Sequence, residues 1–219
     1  MVFSNAAFVG RPNTGMRYYD RSRDANAPIL DHYTGVGEVL AVHNLDVVFA
    51  ELRRSLRVKR GSLFSLDDAK NNDLIFIGSP SENLTLLEIP STTEFVFKRV
   101  ESGPQAGNVA IVNVHPAKGE AASYVLSPSN FSLAEDYAVV AFVKGISPEH
   151  SELILAGTTT IGTQAAVEYV TRENYLAALL KKMNVTQPSE LKPFEAVIQV
   201  KVARGVPVES SVVALRVLK

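Results

Sequence analysis

The stretch "SELILAGTTTIGTQAAVEYV", residues 151–170, carries the grammar from which the rest of the fold can be read. Its first part, "ELILAG" (152–157), is a short continuous apolar run ending in glycine, the pattern of a strand buried on both faces. Thr158, Thr159, Thr160, Gly162 and Thr163 follow, and then "TQAAVEYV" takes up helical spacing. A strand that yields to a helix through glycine and hydroxyl-bearing residues gathers unpaired amides and hydroxyls at one corner. The start of a helix also carries the positive end of its dipole, so such a corner suits a polar or anionic group.

The same grammar recurs twice. "IFIGSPSENL" (75–84) ends an apolar run in Gly78 and then offers Ser79, Ser81, Glu82 and Asn83. "YTGVGEVLAV" (33–42) puts Thr34, Gly35, Gly37 and Glu38 at the mouth of a long helix. In open α/β sheets ligands sit beyond the carboxyl ends of the strands, so the three corners together predict a ligand-binding rim. The residues expected to line it are Thr34, Gly35, Gly37, Glu38, Gly78, Ser79, Ser81, Glu82, Asn83, Gly157, Thr158, Thr159, Thr160 and Thr163. Backbone amides and threonine hydroxyls would hold the anion, and Glu38, Glu82 or Asn83 would orient the ligand. Tight turns and helix capping also use glycine and threonine, so the expectation rests on the co-occurrence of the corners.

Outward from these corners, "VFSNAAFV" (2–9) reads as a first strand and residues 10–35 as a long surface loop. "VGEVLAVHNLDVVFAELRRSL" (36–56) reads as an amphipathic helix, with Val42, Leu45, Phe49, Leu52 and Leu56 on its apolar side. Ser65 is placed to cap a short helix. Further strands are expected over 73–79, 95–100, 108–114, 123–126 and 137–145, and a second helical region over 173–183. The last segment, 194–219, reads as two antiparallel strands. In the first of them Ile198, Val200 and Val202 would face inward. Buried runs followed by helices, with a meander of shorter strands, predict a single α/β domain over residues 1–219. Its expected form is a three-layer mixed sheet, Rossmann-like, with a C-terminal antiparallel hairpin.

Composition narrows the partners. A net charge of −1 gives no general attraction to nucleic acid or an acidic membrane surface. The absence of cysteine excludes disulfides and thiolate chemistry. The apolar runs are far shorter than the roughly 18 residues that span a bilayer, and a soluble, cytoplasmic protein is expected. "RRSLRVKRG" (53–61) concentrates basic residues, but it sits at a helix end where cations complement the dipole, and no aromatic platform accompanies it.

No catalytic set stands out. Pro80 follows Ser79, so a serine there would lack the next backbone N–H as half of an oxyanion hole. His32, His43, His115 and His150 have no metal-ligand spacing, and no metal site is expected. Neither a dinucleotide fingerprint nor a P-loop is present. Glu38, Glu82 and Glu168 are the carboxylates that could serve as a base if the corners converge.

The strings "DHYTGVGEV", "DLIFIGSPSEN", "GEAASY", "EDYAVVAF" and "ILAGTTTIGTQAAVEYV" resemble a bacterial α/β domain without established activity. That domain forms the C-terminal part of longer proteins with an N-terminal DNA-binding region of winged-helix-like type. The resemblance implies a regulatory or sensing module cut from a larger polypeptide, and assigns no residue a role. The leading expectation is thus a non-enzymatic ligand-binding or regulatory domain for a small anionic or nucleotide-like molecule, its cofactor unspecified. The alternatives are an interaction module, homodimeric through the C-terminal hairpin, and an enzyme acting on a phosphorylated or nucleoside-like substrate.

Overall fold

The segment expected as one strand over 2–9 is split by Ser4 and Asn5 into strands of two different sheets. Val2–Phe3 (β1) enters the main sheet, while Ala6–Val9 (β2) pairs antiparallel with Arg17–Tyr18 (β3) and Asp31–Tyr33 (β4). The expected surface loop over 10–35 therefore carries two short strands, specified by pairing with β2 rather than by any alternation of their own. The computed structural model describes every residue except 14, 21, 30, 79–91, 130, 131 and 219.

Val36–Glu51 (α1) starts where its glycines predict but stops five residues before the expected end at residue 56. Arg53 adopts a left-handed φ of 56°, and the Arg54 amide donates back to the Phe49 carbonyl at 2.8 Å. This closure usually falls on glycine, so an arginine gave no stop signal. The interior face of α1 also differs from the expected stripe. Gly37, Glu38, Ala41 and Leu45 are buried, Val42 and Phe49 are half-buried, and Leu52 is exposed.

Lys59–Arg60 (β5) and a 3-10 turn over Gly61–Leu63 lead to Leu66–Asn71 (α2). As Ser65 predicts, α2 opens on a capping box: the Ser65 hydroxyl accepts from the Asp68 amide, and the Asp68 carboxylate accepts from the Ser65 amide. Leu74–Ile77 (β6) follows. Phe95–Arg99 (β7), Val109–Asn113 (β8) and Ser123–Val125 (β9) make a small antiparallel sheet. Then come Ser127–Ser129 (β10), Ser132–Lys144 (β11), Ser151–Gly157 (β12), Thr160–Thr171 (α3) and Glu173–Lys182 (α4). Phe194–Ala203 (β13) and Val206–Val217 (β14) close the chain as the expected hairpin. Arg204 and Gly205, both at positive φ (52° and 75°), turn it in two residues.

Among the described residues the main sheet has eight strands in the order β14-β13-β11-β12-β6-β1-β5, with β10 paired to β11 off that path. It is mixed: β12, β6, β1 and β5 are parallel, and β11, β13 and β14 are antiparallel to their neighbours. Side chains alternate between two buried faces. Ile77, Val140, Leu155 and Ile198 pack with Ala41 and Leu45 of α1, Ala165 and Ala166 of α3 and Leu179 of α4. Phe76, Val139, Ala141, Ile154 and Val197 pack with Ala69 of α2 and with Phe95, Ile111 and Tyr124 of the small sheet. Ile198 and Val200 face inward as expected, but Glu195 and Val197, on the other face of the strand, are also buried, because this part of the strand is covered on both sides.

Two charged groups tie the small sheet to the main one. Buried Glu195 accepts from the amides of Thr93, Glu94 and Phe95 at 2.7, 3.0 and 3.0 Å. Arg216 grips Glu120 with both guanidinium nitrogens and stacks 5.4 Å from the centroid of Phe95. Three amides on one carboxylate and a bidentate arginine pair are the strong, directional kinds of polar contact, which suits them to hold two sheets in register.

Candidate functional site

Phe3 lies opposite Ile77 and Ile77 opposite Leu155, so the carboxyl ends of β1, β6 and β12 form one rim. The pairing of antiparallel β11 with β12 begins at the same rim, with Ala138 opposite Gly157. Two of the expected corners, far apart in sequence, meet there. The Gly37 amide donates to the Thr160 hydroxyl at 2.8 Å, and the Thr160 hydroxyl donates to Glu38. A Cβ on Gly37 would stand 1.8 Å from the Thr160 carbonyl oxygen, and one on Gly35 2.4 Å from its hydroxyl. Glycine in this corner is therefore a contact between α1 and α3, and only secondarily a turn.

The threonines do not point outward. Thr158 donates its hydroxyl to Asp136, and Thr159 donates to the same carboxylate at 2.5 Å. The Gly162 amide, in the first turn of α3, donates to Asp136 at 2.7 Å. Thr159 caps the helix by accepting from the Ile161 amide at 3.2 Å. Thr163 accepts from the Gly157 amide at 3.0 Å, which closes the strand onto the helix. The expected assignment of these hydroxyls to a bound anion is corrected on that ground. The negative charge at the mouth of α3 is the protein's own Asp136, fully buried, and it takes the donors a phosphate would need.

The remaining expected residues fall into two groups. Thr34 donates to the Ser4 carbonyl at 3.0 Å, and the Gly78 amide donates to the Leu155 carbonyl at 3.1 Å. Gly78 has φ 101°, and a Cβ there would meet the Ser4 hydroxyl at 2.5 Å, so it belongs to the same rim. Ser79, Ser81, Glu82 and Asn83 lie outside the described residues. Glu168, the third candidate base, accepts from Gln164 at 2.8 Å and pairs with Arg172 at 2.7 Å along its own helix.

Among the described residues, two polar atoms of the rim lack a partner although buried: Oε1 of Glu38 and the hydroxyl of Ser4. A buried acceptor without a donor costs roughly 1–3 kcal/mol, so such atoms call for a reason. Ser4 and Asp136 were not singled out by sequence. Ser4 interrupts an apolar run, a readable if weak signal. Asp136 simply precedes one, and its importance depends on which strand runs beside it. Among the described residues no three His, Asp or Glu side chains converge to hold a metal ion.

Cavities among the described residues include one of about 350 Å3 by Asn184 and Lys192 and one of about 570 Å3 between the small sheet and the main sheet, on the face opposite α1 and α3. The class that fold and rim define is an α/β protein with a mixed sheet whose helix mouths are filled by its own carboxylates. No family model, curated protein or solved structure matches the chain. Among the described residues no helix is long and apolar enough to cross a membrane.

Proposed function

We propose that this chain is a cytoplasmic, non-enzymatic ligand-binding domain with a regulatory role, of three-layer, Rossmann-like build, and that its ligand is nucleoside-like. The observation that carries the reading is Oε1 of Glu38, buried and without a partner among the described residues, at the rim where α1 and α3 begin. A ligand hydroxyl donating to Glu38 would remove the deficit of the buried acceptor. Because the threonine donors are already engaged by Asp136 and Glu38, the nucleotide-like expectation narrows to the sugar end, with phosphate left outside the corner. Glycosyl hydroxyls are donors as well as acceptors, so one can donate to an unpartnered carboxylate oxygen. The resemblance to a domain joined to a DNA-binding region supports a regulatory role for the bound state.

Thermal denaturation with a panel of nucleosides, nucleotides and inorganic phosphate tests this. A nucleoside at a hundredfold over its Kd adds about 2.7 kcal/mol to stability, and a rise in Tm is the expected result. Glu38→Gln, checked for folding by circular dichroism, is expected to lose that rise. If nothing in the panel raises Tm, or Glu38→Gln keeps the full response, the reading is wrong.

The oligomerisation reading is supported by a separate observation: β14 is an outer strand of the sheet, with Val206, Val208 and Val217 exposed. Size-exclusion mass measurement of the wild type and Val208→Lys tests it; a monomer in both ends it.

A further inference from the structure

The small sheet covers only part of the main-sheet face on which it lies. Val139, Ala141 and Val197 are sealed beneath it, whereas Tyr137 and Gln199, further along the same face, are only half-buried. Where the cover stops, the cleft of about 570 Å3 opens, lined by Gln105, Ser123 and Tyr124 from one side and Tyr137 and Gln199 from the other. Tyr124 and Tyr137 meet at a ring-centroid separation of 5.4 Å, tilted by 44°.

Two polar side chains of the cleft wall are turned onto one carboxylate. Tyr137 donates its hydroxyl to Glu135 at 2.5 Å, and Gln199 donates to the other Glu135 oxygen at 2.6 Å. Gln105 uses one of its two amide N–H donors on the Leu126 carbonyl at 3.2 Å. Among the described residues Glu135 is in no ion pair. Its cross-strand neighbour Lys201 is held by Glu209 at 2.8 Å. The Tyr124 hydroxyl, on a residue only 6% exposed, lies beside the Asn113 side chain and the Ala121 amide without a well-formed hydrogen bond to either.

The neighbouring wall shows what such a set of groups recognises. Arg216 places its guanidinium over the Phe95 ring and both nitrogens on Glu120. Tyr124 and Tyr137 line the cleft, and Glu135, hydrogen-bonded to Tyr137 and Gln199 of that lining, completes a similar pairing of aromatic ring and carboxylate, with Lys201 across the strands already held by Glu209. We propose that the cleft between the small sheet and the main sheet is a binding site for a small organic cation, an amine with an apolar body. The body lies against the two tyrosines, and the ammonium is shared between ring faces and Glu135. The Tyr137 side chain lies on the face of the sheet opposite α1 and α3, and the site does not rest on the nucleoside reading.

Isothermal titration with phenethylamine, phenylethanol and phenylacetate separates charge from shape, and methyl glucoside supplies a neutral polyol. Phenethylamine is expected to bind at millimolar concentration or below, about tenfold or more tighter than phenylethanol, with no binding of phenylacetate. Glu135→Gln, which keeps shape and hydrogen-bonding capacity, is expected to weaken the amine about tenfold and to leave phenylethanol unchanged. Tyr137→Leu is expected to weaken both aromatic ligands; Tyr124→Phe, a smaller change, serves if that variant does not fold. Binding of phenylethanol within about twofold of the amine, an amine affinity unaltered by Glu135→Gln, preference for the glucoside, or no binding at all would overturn the proposal.

Discussion

At the scale of single residues, the rim shows why the identity of a side chain says less than the partner it finds. Thr158 and Thr159 look like ligand donors in sequence, yet they hold Asp136 in a fully buried position. Replacing both by valine is therefore expected to lower stability by about 3–5 kcal/mol, since a buried carboxylate is left short of donors. Urea denaturation checks this, and an unchanged midpoint would mean that Asp136 is solvated. Glycines divide in the same way. Gly37→Ala would drive a Cβ within 1.8 Å of the Thr160 carbonyl oxygen and is expected to cost more than the usual overpacking penalty of about 1–3 kcal/mol. Gly205→Ala meets nothing within 4 Å and bears only the strain of its φ of 75°, about 1 kcal/mol. If the two variants denature alike, the α1–α3 contact at Gly37 is not a close one. Neither role can be read from the word "Gly" in a turn.

Among elements, legibility follows how local the determinants are. The capping box of α2 is written in four consecutive residues, Ser65 to Asp68, and was readable from Ser65 onward. Ser65→Ala is expected to cost about 1 kcal/mol, seen as a small drop in Tm, with no change in the main-sheet amides that protect most strongly against hydrogen exchange. Strands β6, β12 and the 137–144 part of β11 announce themselves as buried runs. By contrast, β3 and β4 are short and polar, and exist because β2 offers them an edge. The end of α1 was misread because Arg53 takes a backbone conformation that glycine usually signals. The interior stripe of that helix was misread because Glu38, a charged residue, faces inward to meet Thr160 across more than a hundred positions of chain.

For the whole molecule, charge links the sheets to pH. Hydrogen bonding with Arg216 foremost, despite opposing burial, holds the Glu120 carboxyl down to about 2. A depressed carboxyl stabilises the fold above its unfolded value, and that contribution is lost as pH falls from about 4.5 toward 2. Asp68, held to about 2 chiefly by Lys59, acts in the same direction. Glu152 works the other way. Burial pushes it up to about 7, only partly offset by the nearby Ile146 amide. The folded state then keeps a proton that the unfolded chain releases, so stability declines as pH rises from about 4.5 to 7. Stability is expected to peak near the lower end of that interval. Glu152→Gln is expected to flatten the neutral-side decline and Glu120→Gln the acid-side one, both read from denaturation midpoints across pH. A wild-type profile flat from pH 5 to 7 would mean that Glu152 is solvated.

By itself the sequence determined the mixed α/β character of the fold, the core strands, the hairpin at the end and the positions of the glycine-rich corners. Each of these rests on periodicity or turn chemistry carried by neighbouring residues. Tertiary structure alone decided that the corners at 34–38 and 157–163 meet, that Asp136 fills the mouth of α3, and that the small sheet leaves a cleft beside Tyr137. Those outcomes depend on strand order and direction, which bring separate elements of the chain together through contacts that no local pattern encodes.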